Sequence, residues 1–200
     1  MKKRKGSVGY ILQRKDAAVK EDSHIIKRIL NTLLIVFAAV VLGFGVTQFV
    51  MQSVYMSGPS MQDTLNDGDE MLLNKAVYKF SKIRRFDIVA IKKIKSNEYY
   101  DIKRVVGIPG DTISVVAGRL VINGKQVSSD FSFSVINSPG VLSEPVKLAE
   151  DEYFCIGDNT SNSEDSRFIN YGKIQKSEIK GRVSYIIFPK ERRGKINYGY

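Results

Sequence analysis

The segment Ser57–Leu65, with the sequence Ser-Gly-Pro-Ser-Met-Gln-Asp-Thr-Leu, contains the serine best placed for chemistry, Ser60. A serine hydroxyl is a poor nucleophile unless a neighbouring base takes its proton. The only histidine, His24, precedes a long apolar run, whereas Ser60 follows it. If that run spans a bilayer, the two side chains lie on opposite sides. Cys155 lacks a histidine partner for the same reason. The base that remains for Ser60 is a lysine.

A second informative stretch contains the adjacent residues Lys103 and Arg104. If residues 100–106 form a strand, these two side chains point to opposite faces. A lysine acts as a base only when neutral, so its pKa must fall by about two units from about 10.4. Apolar neighbours would favour that fall, and Asp101, on the same face as Lys103, would oppose it. The alternative is a solvated surface lysine, and the pattern leaves both interpretations open.

A third stretch, Gly157–Arg167, is dense in acidic and amide side chains. Its composition suggests a calcium loop, but the required ligand order and the closing bidentate glutamate are not matched. A polar turn between strands is the other interpretation. No cluster of His, Cys, Asp or Glu has zinc-binding spacing, so the sequence predicts no metal site.

The apolar run at residues 29–50 contains no charged residue. Its 22 residues are enough for the roughly 30 Å of bilayer hydrocarbon. We predict an uncleaved transmembrane anchor. A cleavable secretory signal is the alternative, but both the apolar stretch and the basic leader are longer than such a signal needs.

The charge distribution predicts the orientation of this anchor. Residues 1–28 carry nine Lys or Arg and three Asp or Glu, a net charge of +6, whereas no basic residue follows the run until Lys75. By the positive-inside rule, residues 1–28 form a cytoplasmic tail and residues 51–200 an extracytoplasmic domain. Anionic lipid accounts for this basic cluster, so we expect a bilayer partner and no nucleic acid.

The exported domain reads as mainly β. Short runs rich in β-branched and aromatic residues predict strands. They are Met71–Leu73, Phe86–Ile91, Tyr99–Val106, Thr112–Val116, Leu120–Ile122, Tyr153–Ile156 and Val183–Phe188. Ala117-Gly118 and Asn123-Gly124 predict hairpin turns, and residues 128–145 an inserted loop or small subdomain. The connector Met51–Met56 could sit at the membrane interface or pack on the β domain. A single cysteine excludes an intramolecular disulfide.

Four motifs follow the anchor in a fixed order. They are Gly58-x-Ser60-Met61-x-x-Thr64-Leu65, Lys103-Arg104-Val105-Val106-Gly107-x-Pro109-Gly110-Asp111, Gly157-Asp158-Asn159-x-x-Asn162-Ser163-x-Asp165-Ser166-Arg167, and Gly181-Arg182-Val183. Together they resemble the bacterial type I signal peptidases (leader peptidases), in the compact form common in Gram-positive bacteria. The resemblance runs from the anchor to about Pro189. It implies a mostly antiparallel β catalytic domain, a Ser-Lys dyad that removes signal peptides from exported preproteins, and no cofactor. It also implies small side chains just before the cut and two residues further back.

The resemblance assigns a role to each motif residue. Ser60 matches the nucleophile and Lys103 the general base, and Ser163 matches a hydroxyl that holds the lysine amine. The remaining matches are two structural ion pairs, Asp158 with Arg104 and Asp165 with Arg167, and an oxyanion hole formed by Gly58 and the Ser60 amide. The sequence departs from the family pattern at Asp63, at Thr160-Ser161 and at Asp101.

Two rival functions remain. A self-cleaving Ser-Lys peptidase of the repressor type would share the dyad and a β domain, but such proteins are soluble, and the span counts against it. A membrane-anchored interaction protein without catalysis would most simply be marked by loss of Ser60 or Lys103, and both are present.

Overall fold

The computed structural model describes residues 25–46, 50–92, 99–127 and 135–198. The chain divides into two compact units, Met1–Thr47 and Gln48–Tyr200. The first unit contains helix α1, Ile25–Val46, whose length and apolar composition are sufficient to cross a membrane. The helix begins four residues before the predicted 29–50 segment, so its first turn includes Lys27 and Arg28.

The second unit is mainly β. Its strands are β1 Met51–Tyr55, β2 Glu70–Asn74, β3 Ile88–Ile91, β4 Asp101–Gly107, β5 Thr112–Val116, β6 Arg119–Ile122, β7 Lys125–Gln126, β8 Val146–Lys147, β9 Glu152–Ile156, β10 Ile174–Gln175, β11 Ile179–Phe188 and β12 Gly194–Lys195. Helix α2 spans Val77–Phe80, and 3-10 turns span Gly140–Ser143, Lys176–Glu178 and Lys190–Arg192.

The strands form two antiparallel sheets. The larger has the order β1-β2-β11-β3-β4-β9-β10, with β12 also paired to β11, and the smaller has the order β7-β6-β5-β8. The predicted mainly β class is confirmed. Both predicted hairpins are present, joining β5 to β6 and β6 to β7. Their central residues, Ala117-Gly118 and Asn123-Gly124, all have positive φ, as type I′ turns require.

The connector read from the sequence is strand β1, paired with β2 over its whole length. Val54 and Met56 belong to a buried apolar cluster that also contains Met71 and Leu73, whereas Tyr55 is 65% exposed. Packing on the β domain is therefore the correct alternative for Val54 and Met56. The predicted strand at Phe86 begins two residues later, because Phe86 itself has a φ of +70° outside the strand region.

Strand β4 lies between β3 and β9 in the larger sheet. All its residues from Ile102 to Gly107 are buried, on both faces of the sheet. Of the predicted insertion at residues 128–145, residues 128–134 lie outside the described part of the chain, and Gly140–Ser143 forms a 3-10 turn. That turn contributes Leu142 to the apolar cluster that also contains Ile113 of the smaller sheet.

Candidate active site

Ser60 lies in the loop between β1 and β2. Apolar side chains that follow Ser60 in this loop hold it against the β core. Met61 and Leu65 are fully buried in the same cluster as Met71 and Val183. The Leu65 amide donates to the Met61 carbonyl, closing one helical turn directly after Ser60. The apolar members of the first motif therefore anchor the nucleophile loop to the β core.

The Ser60 hydroxyl and the Lys103 amine meet although 43 residues separate them in sequence. Lys103 Nζ lies 3.1 Å from Ser60 Oγ. The two residues are only 5% and 8% exposed, respectively. Strand β4 supplies Lys103 from one face of the sheet and Arg104 from the other, as the strand alternation predicts. This pair has the geometry that proton transfer from serine to lysine requires.

Burial lowers the pKa of Lys103 below its ordinary value, because a desolvated ammonium is less stable than a neutral amine. Asp101 is the strongest opposing influence, since its carboxylate favours the charged amine, and Asp165 acts in the same direction. The Tyr171 hydroxyl donates to Asp101 Oδ2 over 3.3 Å. Desolvation is the larger effect, so the site favours the neutral form of the base.

Arg104 and Asp158 form a buried bidentate ion pair behind the dyad. Arg104 Nε and Nη2 donate to the two carboxylate oxygens over 2.8 and 2.9 Å. The same guanidinium donates to the Phe86 and Tyr198 carbonyls. Because Asp158 belongs to the third motif, this pair joins that loop to strand β4, and the bonds from Arg104 also reach the C-terminal segment.

Asp165 and Arg167 form a second fully buried pair, within the third motif itself. Arg167 Nε and Nη2 donate to the carboxylate, and the Gly157 amide donates to Asp165 Oδ2 over 3.0 Å. Arg167 also donates to the Thr160 carbonyl. The pair thus closes residues 157–167 into a compact loop, and the Asn159 amide of that loop donates to the Ser60 carbonyl over 3.1 Å.

Two residues that the sequence assigned to the site lie near it without the expected contacts. The Ser163 hydroxyl is buried and has no hydrogen-bond partner in the described part of the chain, so it does not bond Lys103 here. The Gly58 amide donates to Asp67 Oδ1 over 2.8 Å, whereas the Ser60 amide makes no hydrogen bond to any described residue. The Gly58 amide, one of the two expected oxyanion donors, is thus engaged within its own loop.

A cleft opens over the dyad and includes residues that the sequence did not indicate. Its lining comprises Ser57, Gly58, Pro59, Ser60, Asp101, Lys103, Glu164, Asn170 and Tyr171. Tyr171 contacts Asp101 from 70 residues away, a proximity that no local pattern encodes. Within the described ranges, no group of three or more His, Cys, Asp or Glu side chains is arranged to hold a metal ion.

Comparison with known proteins assigns this chain to a family. The model of the family described as "Signal peptidase, peptidase S26" matches residues 21–188. Signal peptidase I of Bacillus licheniformis is 35% identical over 161 residues, covering 77% of this chain and 86% of its own. A signal peptidase I of Bacillus amyloliquefaciens is 32% identical, covering 85% and 94%. The probable signal peptidase I-2 of Synechocystis is 31% identical, covering 78% and 72%.

Among solved structures, a signal peptidase I from Enterococcus faecalis V583 is 26% identical, covers 51% of this chain and 97% of its own, and has a TM-score of 0.41. The family match and the relatives carry the assignment. The chain belongs to the signal peptidase family, peptidase S26. It is a serine peptidase that removes signal peptides, as the sequence resemblance implies.

Proposed function

We propose that Ser60 is the nucleophile of this peptidase and that Lys103 is its general base. The observation that carries the proposal is the buried pair, with Nζ and Oγ 3.1 Å apart and the pKa of the amine lowered by burial. Neutral Lys103 accepts the Ser60 proton as Oγ attacks the carbonyl carbon of the scissile peptide bond. We assign the Ser60 amide as a donor to the oxyanion that forms.

The remaining steps use the same two groups. The Lys103 ammonium returns its proton to the leaving amine as the peptide bond breaks, which leaves the signal peptide esterified to Ser60 Oγ. A water molecule then gives a proton to Lys103 and attacks the ester, and that proton returns to Oγ as the acid product leaves. Ser163 is a further polar group near the dyad, and its buried hydroxyl lacks a hydrogen-bond partner among the described residues. We propose that it bonds the lysine amine once substrate has displaced water.

The two buried ion pairs help to hold Ser60 and Lys103 in position. Arg104 with Asp158, and Asp165 with Arg167, hold the loop whose Asn159 amide bonds the Ser60 carbonyl. Neither pair contacts the reacting atoms, so we assign both a structural role.

We further propose that α1 anchors the protein in the cytoplasmic membrane, with the N-terminus inside and the β unit outside. The length of α1 supports the span, and the basic residues before it support the orientation. The sole native cysteine, Cys155, is buried, so engineered cysteines can report topology. In intact cells, Lys125→Cys should react with a membrane-impermeant maleimide and Lys15→Cys should not. The reverse labelling would contradict the orientation.

Cleavage itself is tested with the detergent-solubilised protein and a preprotein that carries an Ala-x-Ala site. Sequencing the new N-terminus of the product should place the cut directly after that site. Ser60→Ala should leave the preprotein intact. The control variant Ser143→Ala changes an exposed serine in the 3-10 turn Gly140–Ser143 and should cut normally. Normal cutting by Ser60→Ala would refute the assignment of the nucleophile.

A further inference from the structure

Two acidic side chains border the cleft over the dyad. Asp101 and Glu164 both line it and both are exposed. Neither belongs to any of the six salt bridges found among the described residues. Tyr171 donates to Asp101 Oδ2 and so helps to orient this carboxylate at the cleft wall.

The lining of the cleft carries a net negative charge when Lys103 is neutral, which is the form of the enzyme that reacts. Lys103 is the single cationic residue in the described lining, and it must be neutral to act as the base. Asp101 and Glu164 then leave the lining with a formal charge of −2. A peptide bound beside Ser60 meets this charge at close range, where the Coulomb energy is largest.

A neighbouring pocket adds chemistry that suits a long cationic side chain. Its volume is about 250 Å³ and its lining comprises Ser163, Glu164, Phe168 and Asn170, of which Glu164 and Asn170 also border the cleft. The partly exposed Phe168 ring offers apolar surface to a methylene chain, and Glu164 offers a carboxylate to its charged end. The Ser163 hydroxyl, which is buried and lacks a hydrogen-bond partner in the described chain, also lines this pocket.

From these contacts we infer that Asp101 and Glu164 make this enzyme select preproteins with a lysine or arginine within a few residues of the cleaved bond, and disfavour acidic residues there. The inference rests on the proposed function, because it concerns what binds beside Ser60.

The test uses peptides that are identical except for one position near an Ala-x-Ala site, which holds Lys, Gln or Glu in turn. The measured quantity is the ratio of kcat/KM for the Lys peptide to that for the Glu peptide at one pH. This ratio cancels changes in the ionisation of Lys103, because both peptides use the same base. At low ionic strength the ratio should reach about three to ten at the most sensitive position. It should fall toward one in ~1 M salt, where the Debye length is about 3 Å.

Asp101→Asn combined with Glu164→Gln should bring the ratio close to one, whereas Glu150→Gln, at an exposed site outside the cleft lining, should leave it unchanged. A ratio near one at every position in the wild type would overturn the inference. So would a ratio that the double variant leaves unaltered. Both results leave the dyad intact, since the peptides are still cut. Failure to cut any peptide would count against the proposed function, and the inference would fall with it.

Discussion

Burial of the Lys103 amine has opposite consequences for catalysis and for stability. The lowered pKa supplies a neutral base, but the unfolded chain binds a proton on this lysine at pH values where the folded chain does not. The free energy of unfolding therefore rises with pH between the folded-state pKa and the ordinary value of 10.5. Below the folded-state pKa, the destabilising effect is fully present.

Lys103→Met should accordingly be inactive yet more stable at neutral pH. The gain should be about 1–3 kcal/mol, the usual cost of burying an incompletely bonded polar group. The measurement is denaturant unfolding at neutral pH and near pH 10, where the advantage of the variant should shrink. A variant less stable than the wild type at neutral pH would show that the amine contributes to folding through contacts other than its bond to Ser60.

Asp101 should set the pH at which the enzyme becomes active. Its carboxylate raises the pKa of Lys103 against the effect of burial. Asp101→Asn should therefore move to lower pH the limb of the kcat/KM profile that rises as Lys103 loses its proton. The check is a pH-rate profile with a Gln-bearing neutral peptide, and Glu150→Gln is the matched control. A limb that stays in place would mean that solvent screens Asp101 from the amine.

Asp63 illustrates how one residue can alter a family loop without removing its chemistry. Its φ is +84°, a value that proline cannot adopt. Asp is among the residues that tolerate positive φ. The backbone at this position therefore suits the residue that is present, and Met61 and Leu65 still anchor the loop.

At the scale of elements, close packing joins the third motif to the nucleophile loop. A methyl group on Gly157 would overlap the Ser163 hydroxyl and the Ser60 carbonyl. Gly157→Ala should therefore displace Ser60 and lower kcat by about tenfold or more, because small misplacements near reacting atoms are costly.

Gly181→Ala is the matched control for that prediction. A methyl group there would overlap the Asn74 carbonyl where β11 meets β2, away from the dyad lining. This variant should lose stability, by about 1–3 kcal/mol for overpacking, while its folded fraction keeps a near-normal kcat. Equal losses of kcat in the two variants would indicate a general loss of structure rather than a specific effect on Ser60.

The strands were predictable where β-branched runs end at turn residues, as in β5, β6 and β9. Strand β1 was missed because its apolar residues continue directly from the anchor, so their alternation is hidden in a longer apolar segment. Its pairing with β2 depends on a return of the chain across the Ser60 loop. This return of the chain belongs to the tertiary structure and cannot be predicted from the local amino-acid composition.

The motifs predicted the ion pairs that their own residues form with one another. Asp165 and Arg167 lie two residues apart within one motif, whereas Asp158 and Arg104 come from two different motifs. Both ion pairs are observed. Tyr171 and Glu164 border the cleft through tertiary packing alone and were missed. The Gly58 amide bonds Asp67 because the loop folds back on itself, which spacing does not reveal.

At the scale of the whole molecule, the boundary between the two compact units falls between Thr47 and Gln48. An insert of about twenty Gly and Ser residues at this boundary would extend the reach of the chain by about 25 Å. If the anchor serves to present Ser60 to membrane-inserted signal peptides, the insert should slow cleavage of a membrane-embedded preprotein more than cleavage of a soluble peptide. Equal effects on both substrates would show that tethering distance is unimportant.

The most direct test of the dyad is kcat/KM of Lys103→Arg on a preprotein, with folding verified by its unfolding transition. Arginine keeps the positive charge and much of the side-chain length, but it stays protonated at any workable pH and cannot accept the Ser60 proton. The account predicts a loss of about a thousandfold or more, comparable to that of Ser60→Ala, since the two residues act as one unit. A folded Lys103→Arg protein that retained a tenth or more of the wild-type value, as about 1.4 kcal/mol of lost transition-state stabilisation would allow, would contradict it.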